Sequence, residues 1–432
     1  MTRACVIGAG SSGLAAGKAL KDAGVDFDVF ETSDRVGGLW VYENQNGKAA
    51  AYRGLHSNAP KPLMGYAEYP LPEDLPDYPS HWDFANYFAG YADHFGVTPS
   101  IRFRTTVERV EPRSDGGHDV TLDDGTTTRY DAVLVANGHH WNPRMPDPMF
   151  PGSFDGTLMH SRDYRDPMIA AGKRVVVVGF GNSAVDIASE VSDVADATFL
   201  SVRRGVHIMP KYVFGMAAPL WMVNAMSYKV PRRMVAPIFR IVAGKPSDYG
   251  LPEPDHKYGD AHPTMSARIM DRLQHGKVLG RPQIQALEGD SIRFADGTVE
   301  KADLIICCTG YTITFPFFES SYVDAPGNKI PLYRRVISPG RPGLYFVGLC
   351  QPLGAIQPIA EQQGKWVAGL LTGEYALPDP DEMERQITRD QEALAKRFYD
   401  STRHTIQLDH YRYLRTMRSE MAKGRRRAAA AA

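Results

Sequence analysis

Val6-Ile7-Gly8-Ala9-Gly10-Ser11-Ser12-Gly13 returns later in the chain as Val177-Val178-Gly179-Phe180-Gly181-Asn182-Ser183-Ala184. The two copies also end alike. Asp119 to Gly138 (DVTLDDGTTTRYDAVLVANG) aligns without a gap on Ser291 to Gly310 (SIRFADGTVEKADLIICCTG). A single Gly-x-Gly-x-x-Gly turn is weak evidence of anything. Two in register, each with the same closing strand, imply two nucleotide-binding folds in one chain. Two dinucleotides in one protein imply electrons passing between them.

Working outward, each motif sits in a β-α-β unit. Arg3 to Gly8 reads as a strand, Ser12 to Ala23 as a helix and Val25 to Glu31 as a second strand. The second copy reads as Arg174 to Val178, Asn182 to Val194 and Ala197 to Val202. Asp124-Gly125 and Asp296-Gly297 mark matching hairpins, and Ala132 to Ala136 and Leu304 to Cys308 are buried closing strands. The expected fold is α/β, with two Rossmann-like domains on doubly wound parallel sheets. The predicted boundaries are 1–166 for the first part of one domain, 167–311 for an inserted second domain, and 312–432 for the remainder. Within the second, 211–263 has no counterpart in the first half and reads as a helical and loop insertion. Pro378 to Met421 reads as a charged amphipathic helical tail.

The glycines carry distinct duties. Gly8 permits the tight turn, Gly10 lets backbone approach a pyrophosphate, and Gly13 lets helix and strand pack closely. Gly179 and Gly181 repeat the first two, with Ala184 in the third place. The helix starts, at Ser12 and at Asn182-Ser183, offer N–H donors and a positive dipole end to phosphate. The end of the second strand selects the nucleotide. Glu31 suits an unphosphorylated ribose. The repeat offset carries Glu31 onto Val202 or Arg203, within Ser201-Val202-Arg203-Arg204. Guanidinium groups match the 2′-phosphate of NADP. The first site therefore fits FAD or NAD and the second NADPH. Arg35-Val36-Gly37-Gly38-Leu39-Trp40 follows Glu31 closely, has no equivalent in the second half, and would meet the far end of an extended cofactor such as FAD.

Composition narrows the field. At 432 residues the chain suits two or three domains, and a net charge of −1 provides no field for nucleic acid or an anionic membrane. Arg425-Arg426-Arg427 reads as a solvated end, and Ala428 to Ala432 as either helix or a stretch outside the fold. The four cysteines, Cys5, Cys307, Cys308 and Cys350, make no Cys-x-x-Cys pair. His139-His140 lacks further ligands at metal spacing, so no metal is expected. Nothing reads as a secretory signal or membrane helix, so the expected location is cytoplasmic.

Phe154-x-Gly156-x-x-x-His160-x-x-x-Tyr164 lies between the two units. With Gly37-Gly38-Leu39-Trp40, Ser57-Asn58-x-Pro60-Lys61, Cys308-Thr309-Gly310-Tyr311 and Gln357 to Trp366, it resembles the class B flavin-containing monooxygenases along nearly the whole chain. The resemblance implies that NADPH reduces FAD. It further implies that reduced flavin and O2 give a C4a-hydroperoxide, and that a nitrogen or sulfur atom of a small organic substrate takes the oxygen. It puts Asn58 at the active site, where its amide would hydrogen-bond the peroxide or NADP⁺. Read alone, Asn58 is a turn-former before Pro60. His56 and Gln351 join the expected flavin contacts. His160 reads first as a structural histidine, and Met209, Met216, Met222 and Met226 as either pocket or ordinary packing. The resemblance also implies a soluble bacterial-type member and raises a homodimer.

Three other readings compete. Baeyer–Villiger oxidation of ketones needs the same cofactors, and Tyr164-Arg165 weighs against it, since those relatives carry Trp followed by Pro or Asp. A disulfide reductase lacks its dithiol. A flavin-binding sensor without turnover is countered by complete motifs at both sites.

Overall fold

The computed structural model describes residues 2–220, 232–257, 260–398, 401 and 404–431, leaving aside the side chains of 232–236. It divides into two units. One is Met1–Ala49, Lys61–Asn142 and Thr312–Ala432; the other is Ala50–Pro60 and Pro143–Tyr311.

Each unit is built on a five-stranded parallel sheet. In the first, the order is Leu344–Phe346, Ala132–Val135, Arg3–Ile7, Asp26–Phe30 and Ile101–Arg102. In the second, it is Leu279–Arg281, Ala197–Ser201, Arg174–Val178, Leu304–Cys307 and Thr157–His160. After an arginine at the start of Arg3–Ile7 and of Arg174–Val178, the central strands are apolar, because both faces of a parallel sheet are covered. The repeat seen in sequence is thus a repeat of topology. One edge strand breaks the symmetry: the first unit takes it from after its closing strand, the second from before its first strand.

That edge strand corrects the predicted boundaries. Residues 143–166 belong to the second unit, because Thr157–His160 pairs along Leu304–Cys307 and Gly152–Phe154 pairs with Ile284–Gly289. Residues 50–60 join it too, because Tyr52 is buried with Tyr164, Val177 and Ile187 in that unit's core.

The insertion is more varied than expected. It holds a small hairpin, Tyr212–Val213 with Met216–Ala217, and a helix, Arg232–Ala243. Met209 is buried with Val213, Phe239 and Met265, which is packing, while Met216 is exposed. Met222 and Met226 lie outside the described residues. The tail is helical, as two helices with a strand between them. Pro380–Arg397 and His410–Ala431 flank a strand, Gln407–Asp409, that pairs with Gln351–Leu353. The basic triplet is not simply solvated. Arg425 donates to Glu374 at 2.9 Å and to the Tyr375 hydroxyl at 3.0 Å, and Arg427 to the Ala376 carbonyl at 2.9 Å.

Candidate functional site

In the first unit the glycine turn is shaped by what lies behind it. Gly8 has φ +101°, and a Cβ there would meet the Ala136 carbonyl oxygen at 2.8 Å. A Cβ on Gly13 would sit 1.8 Å from the Gly8 carbonyl oxygen, so helix and turn touch through bare backbone. The Ser11–Asp22 helix begins at Gly10 with no side-chain cap and no acidic residue in its first turn. Its first N–H groups and dipole are therefore left for an anion to satisfy.

Glu31 stands at the end of the second strand, buried, with both oxygens occupied. Oε2 accepts the Ala9 N–H at 2.7 Å and Oε1 the Ser33 N–H at 2.8 Å. Burial raises its pKa, and these two donors oppose the rise. The carboxylate thus clamps the glycine turn while standing where a ribose would lie. Gly37 and Gly38 close the other side. The Gly37 N–H donates to the Ala9 carbonyl at 3.1 Å, and a Cβ on Gly38 would come within 3.1 Å of the Gly10 Cα. Trp40 packs on Phe84 at 4.3 Å between ring centroids, and Leu39 is exposed. Arg35 points away into an exposed bidentate pair with Asp34, at 2.9 and 3.0 Å.

Gln351 begins the strand paired with Gln407, and its N–H donates to Ile406. Beside it lies a turn that sequence reasoning overlooked. Gly348 has φ +78°, and a Cβ there would fall 1.9 Å from Ser12 Oγ. Its N–H is held by the buried Gln363 at 2.7 Å, and Gln363 is held by Tyr413. Next to this turn, Gln357 is fully buried with neither amide atom hydrogen-bonded among the described residues. A polar ring edge would satisfy such a group. The signal available in sequence was a glycine closing an apolar strand (Leu344 to Gly348), as at Gly8 and Gly138. This donor set and its cradle fit an extended dinucleotide with a polar ring system, as FAD is.

The second unit repeats the geometry with different chemistry. Gly179 has φ +122°, with the Cys308 carbonyl oxygen 2.7 Å from where a Cβ would be. Gly181 precedes the Asn182–Val191 helix, again without a side-chain cap. Asn182 is partly committed, since its Oδ1 accepts the Met265 N–H at 2.8 Å; Ser183 is half-buried beside it. The ladder resolves the ambiguity of register. Gly8 and Gly179 donate to Phe30 and Ser201 respectively, and Glu31 and Val202 donate in turn to the next strand, at Arg102 and Arg281. Val202, buried and apolar, stands where the carboxylate stood. Arg203 follows it and is exposed; Arg204 is drawn aside to Asp255 at 2.7 Å. Arg144, missed in sequence, donates to the Thr309 carbonyl at 2.8 Å and feels the charge of Arg203. Loss of the ribose carboxylate beside an exposed guanidinium fits NADP in preference to NAD.

His56 and Asn58 lie in the second unit. His56 is exposed, with Nδ1 2.9 Å from the Gly54 carbonyl; Asn58 is half-buried, next to a buried Ser57. His160 ends the edge strand, buried, its Nδ1 accepting the Arg162 N–H at 3.0 Å, and burial lowers its pKa. Burial pushes the Cys307 and Cys350 thiols up to about 12, so both stay neutral. Among the described residues no group of three or more metal-ligating side chains occurs, and no helix is long and apolar enough to cross a membrane.

A family model described as flavin-binding monooxygenase-like matches residues 1–425. The chain belongs to that family. Flavin-containing monooxygenase 5 of Cavia porcellus is 36% identical over 437 residues, spanning 96% of this chain and 81% of the relative. Dimethylaniline monooxygenase (N-oxide-forming) 2 of Mus musculus is 34% identical over 431 residues, spanning 95% and 80%. Among solved structures, S-allyl-L-cysteine S-oxygenase from Allium sativum superposes with a TM-score of 0.73 at 25% identity, covering 97% of this chain and 88% of that one. Cyclohexanone monooxygenase in its open form reaches 0.74 at 17% identity, covering 99% of both; this likeness speaks for the fold. This flavin-binding monooxygenase is an enzyme that uses FAD and NADPH.

Proposed function

We propose that the enzyme oxygenates a nitrogen or sulfur atom of a small organic molecule, with FAD in the Met1–Ala49 unit and NADPH in the Pro143–Tyr311 unit. The observation that carries the assignment of sites is the exchange at one ladder position: buried Glu31 in the first copy, buried Val202 followed by exposed Arg203 in the second. Bound FAD supplies the electron acceptor for NADPH and the place where O2 is activated. The chain supplies position and dryness. Gly8, Gly10, Ser12, Gly13, Glu31, Gly38, Trp40 and Gly348 would hold the flavin nucleotide, and Gln357 its ring edge. Gly179, Gly181, Ser183 and Arg203 would hold NADPH. Asn58 would offer its amide as a hydrogen-bonding group at the reacting centre. A cytoplasmic location and a homodimer belong to the same reading, the latter read directly from mass in sedimentation.

The substrate class is supported by the names of two relatives, an N-oxide-forming monooxygenase and an S-oxygenase. The test is product analysis of the purified yellow protein with NADPH, air and three probes: a tertiary amine, a thioether and a cyclic ketone. An N-oxide or sulfoxide in step with NADPH use is the expected result. Lactone alone would replace the proposal with Baeyer–Villiger chemistry, and no bleaching of flavin by NADPH would end it.

A further inference from the structure

The Asn182–Val191 helix carries two carboxyl side chains that nucleotide binding does not call for. Asp186 and Glu190 are four residues apart, so they share a face of the helix. Both meet the Ala50–Pro60 segment. The Tyr52 hydroxyl donates to Asp186 Oδ2 at 3.1 Å. Gly54 lies so near Glu190 that a Cβ would stand 1.7 Å from Oε1. Glu190 Oε2 accepts the hydroxyl of Tyr164 at 2.9 Å, and the rings of Tyr52 and Tyr164 are 5.7 Å apart. Both tyrosines are buried. The segment is tied down again where the Arg53 N–H donates to the Arg165 carbonyl at 2.8 Å and Arg53 pairs with Asp166 at 3.0 Å. The last residue of the Phe154-to-Tyr164 motif thus orients a carboxyl group against the backbone four residues before Asn58.

We propose that Asp186 and Glu190 are positioning residues: they seat the 50–60 segment and thereby set where Asn58 stands during turnover. This rests on the assignment of Asn58 to the reacting centre. It also makes the seating sensitive to pH. Burial raises Asp186 to about 6, and burial together with the charge of Asp186 raises Glu190 to about 7. Around Asp186 stand Lys211, Tyr52, His56 and Arg268; around Glu190 stand Tyr164, Arg268, Asp186 and Asp166. A carboxyl raised in the folded state favours that state while it holds its proton. The favour is complete below the ordinary carboxylate range and is lost as pH rises through about 7 for Glu190. Seating is therefore firmest on the acid side of neutrality.

The test is the ratio of hydrogen peroxide to sulfoxide formed from a thioether between pH 6 and 8.5, with anaerobic flavin reduction by NADPH followed in parallel. The native enzyme is expected to leak more peroxide as pH passes through about 7. Glu190→Gln should abolish that step. Tyr52→Phe, which keeps the ring and its packing, should leak about fivefold more at every pH, the factor one lost hydrogen bond carries. Gly54→Ala should leak as well, and Gly54→Ala with Glu190→Ala should leak no more than Glu190→Ala alone, because the second change removes the atom the new Cβ would strike. Asn58→Leu is the reference. If Asn58→Leu leaks while these variants keep native coupling and an unchanged pH profile, the positioning role is overturned. If Asn58→Leu itself stays coupled, the assignment of Asn58 fails and the inference falls with it.

Discussion

Gly13→Ala adds one methyl group where the first unit has no room for it. The new Cβ would stand 1.8 Å from the Gly8 carbonyl oxygen and 2.9 Å from its carbon. That is short of ordinary contact by about 1.6 Å, and both partners are backbone, which cannot rotate aside. Either the start of the Ser11–Asp22 helix lifts from the strand or the Gly8 turn is pushed outward. Overpacking of this kind costs about 1–3 kcal/mol, and the rigid neighbours place this site at the upper end. A loss of about 3 kcal/mol lowers the melting temperature of a unit this size by about 6–12 °C. Flavin retention should suffer more than melting, because the displaced atoms belong to the turn proposed to hold the pyrophosphate. The assay is the ratio of flavin to protein absorbance after gel filtration, with melting curves recorded with and without added FAD. The control is Ala184→Gly in the second copy, which relieves no clash and costs about 1 kcal/mol of helix propensity while leaving flavin content intact. A Gly13→Ala protein that keeps its full yellow complement and melts within a degree of the native enzyme would refute the steric reasoning.

Arg203→Ala should raise KM for NADPH about 30-fold, the worth of roughly 2 kcal/mol for a charge-assisted contact to phosphate, and leave KM for NADH almost unchanged; steady-state kinetics with both nucleotides check this, and parallel changes would move the phosphate contact elsewhere. Arg204→Ala should do much less, because Asp255 already holds that guanidinium. Glu31→Gln can accept only one of the two N–H groups its oxygens now satisfy, leaving a buried donor unpaired at a cost of about 1–3 kcal/mol. Flavin binding measured by fluorescence should become at least about fivefold weaker, and an unaltered constant would argue that Glu31 neither shapes the turn nor meets the ribose.

Much of the fold was legible because local rules and tertiary structure agree in a parallel sheet. The apolar runs leading into Gly8, Gly138, Gly179 and Gly310 became interior strands, and the two Asp-Gly turns became hairpins. The boundaries failed where pairing was decided at a distance. Nothing local about Thr157 to His160 says that it will lie beside Leu304–Cys307, 147 residues later by the pairing of Thr157 with Leu304. The strand within the tail escaped for the same reason, since Gln407–Asp409 becomes a strand only because Gln351–Leu353 offers an edge. At the site, glycine spacing pointed to both turns and a glycine closing an apolar run marked Gly348, whereas Gln357 and Arg144 came into view only through their neighbours.

The sequence by itself determined that the chain carries two dinucleotide folds whose second strands end differently, one in a carboxylate and the other beside an arginine pair. The glycine turn and the residue ending the second strand act over a few residues, so their chemistry is written in order along the chain. Tertiary structure alone decided that Val202, not Arg203, replaces Glu31, because register is a property of hydrogen bonds between strands. It alone showed that the segment bearing Asn58 rests on Asp186 and Glu190, residues more than a hundred positions away along the chain. Such contacts follow from how helices and sheets fill space, and no periodicity in the chain encodes them.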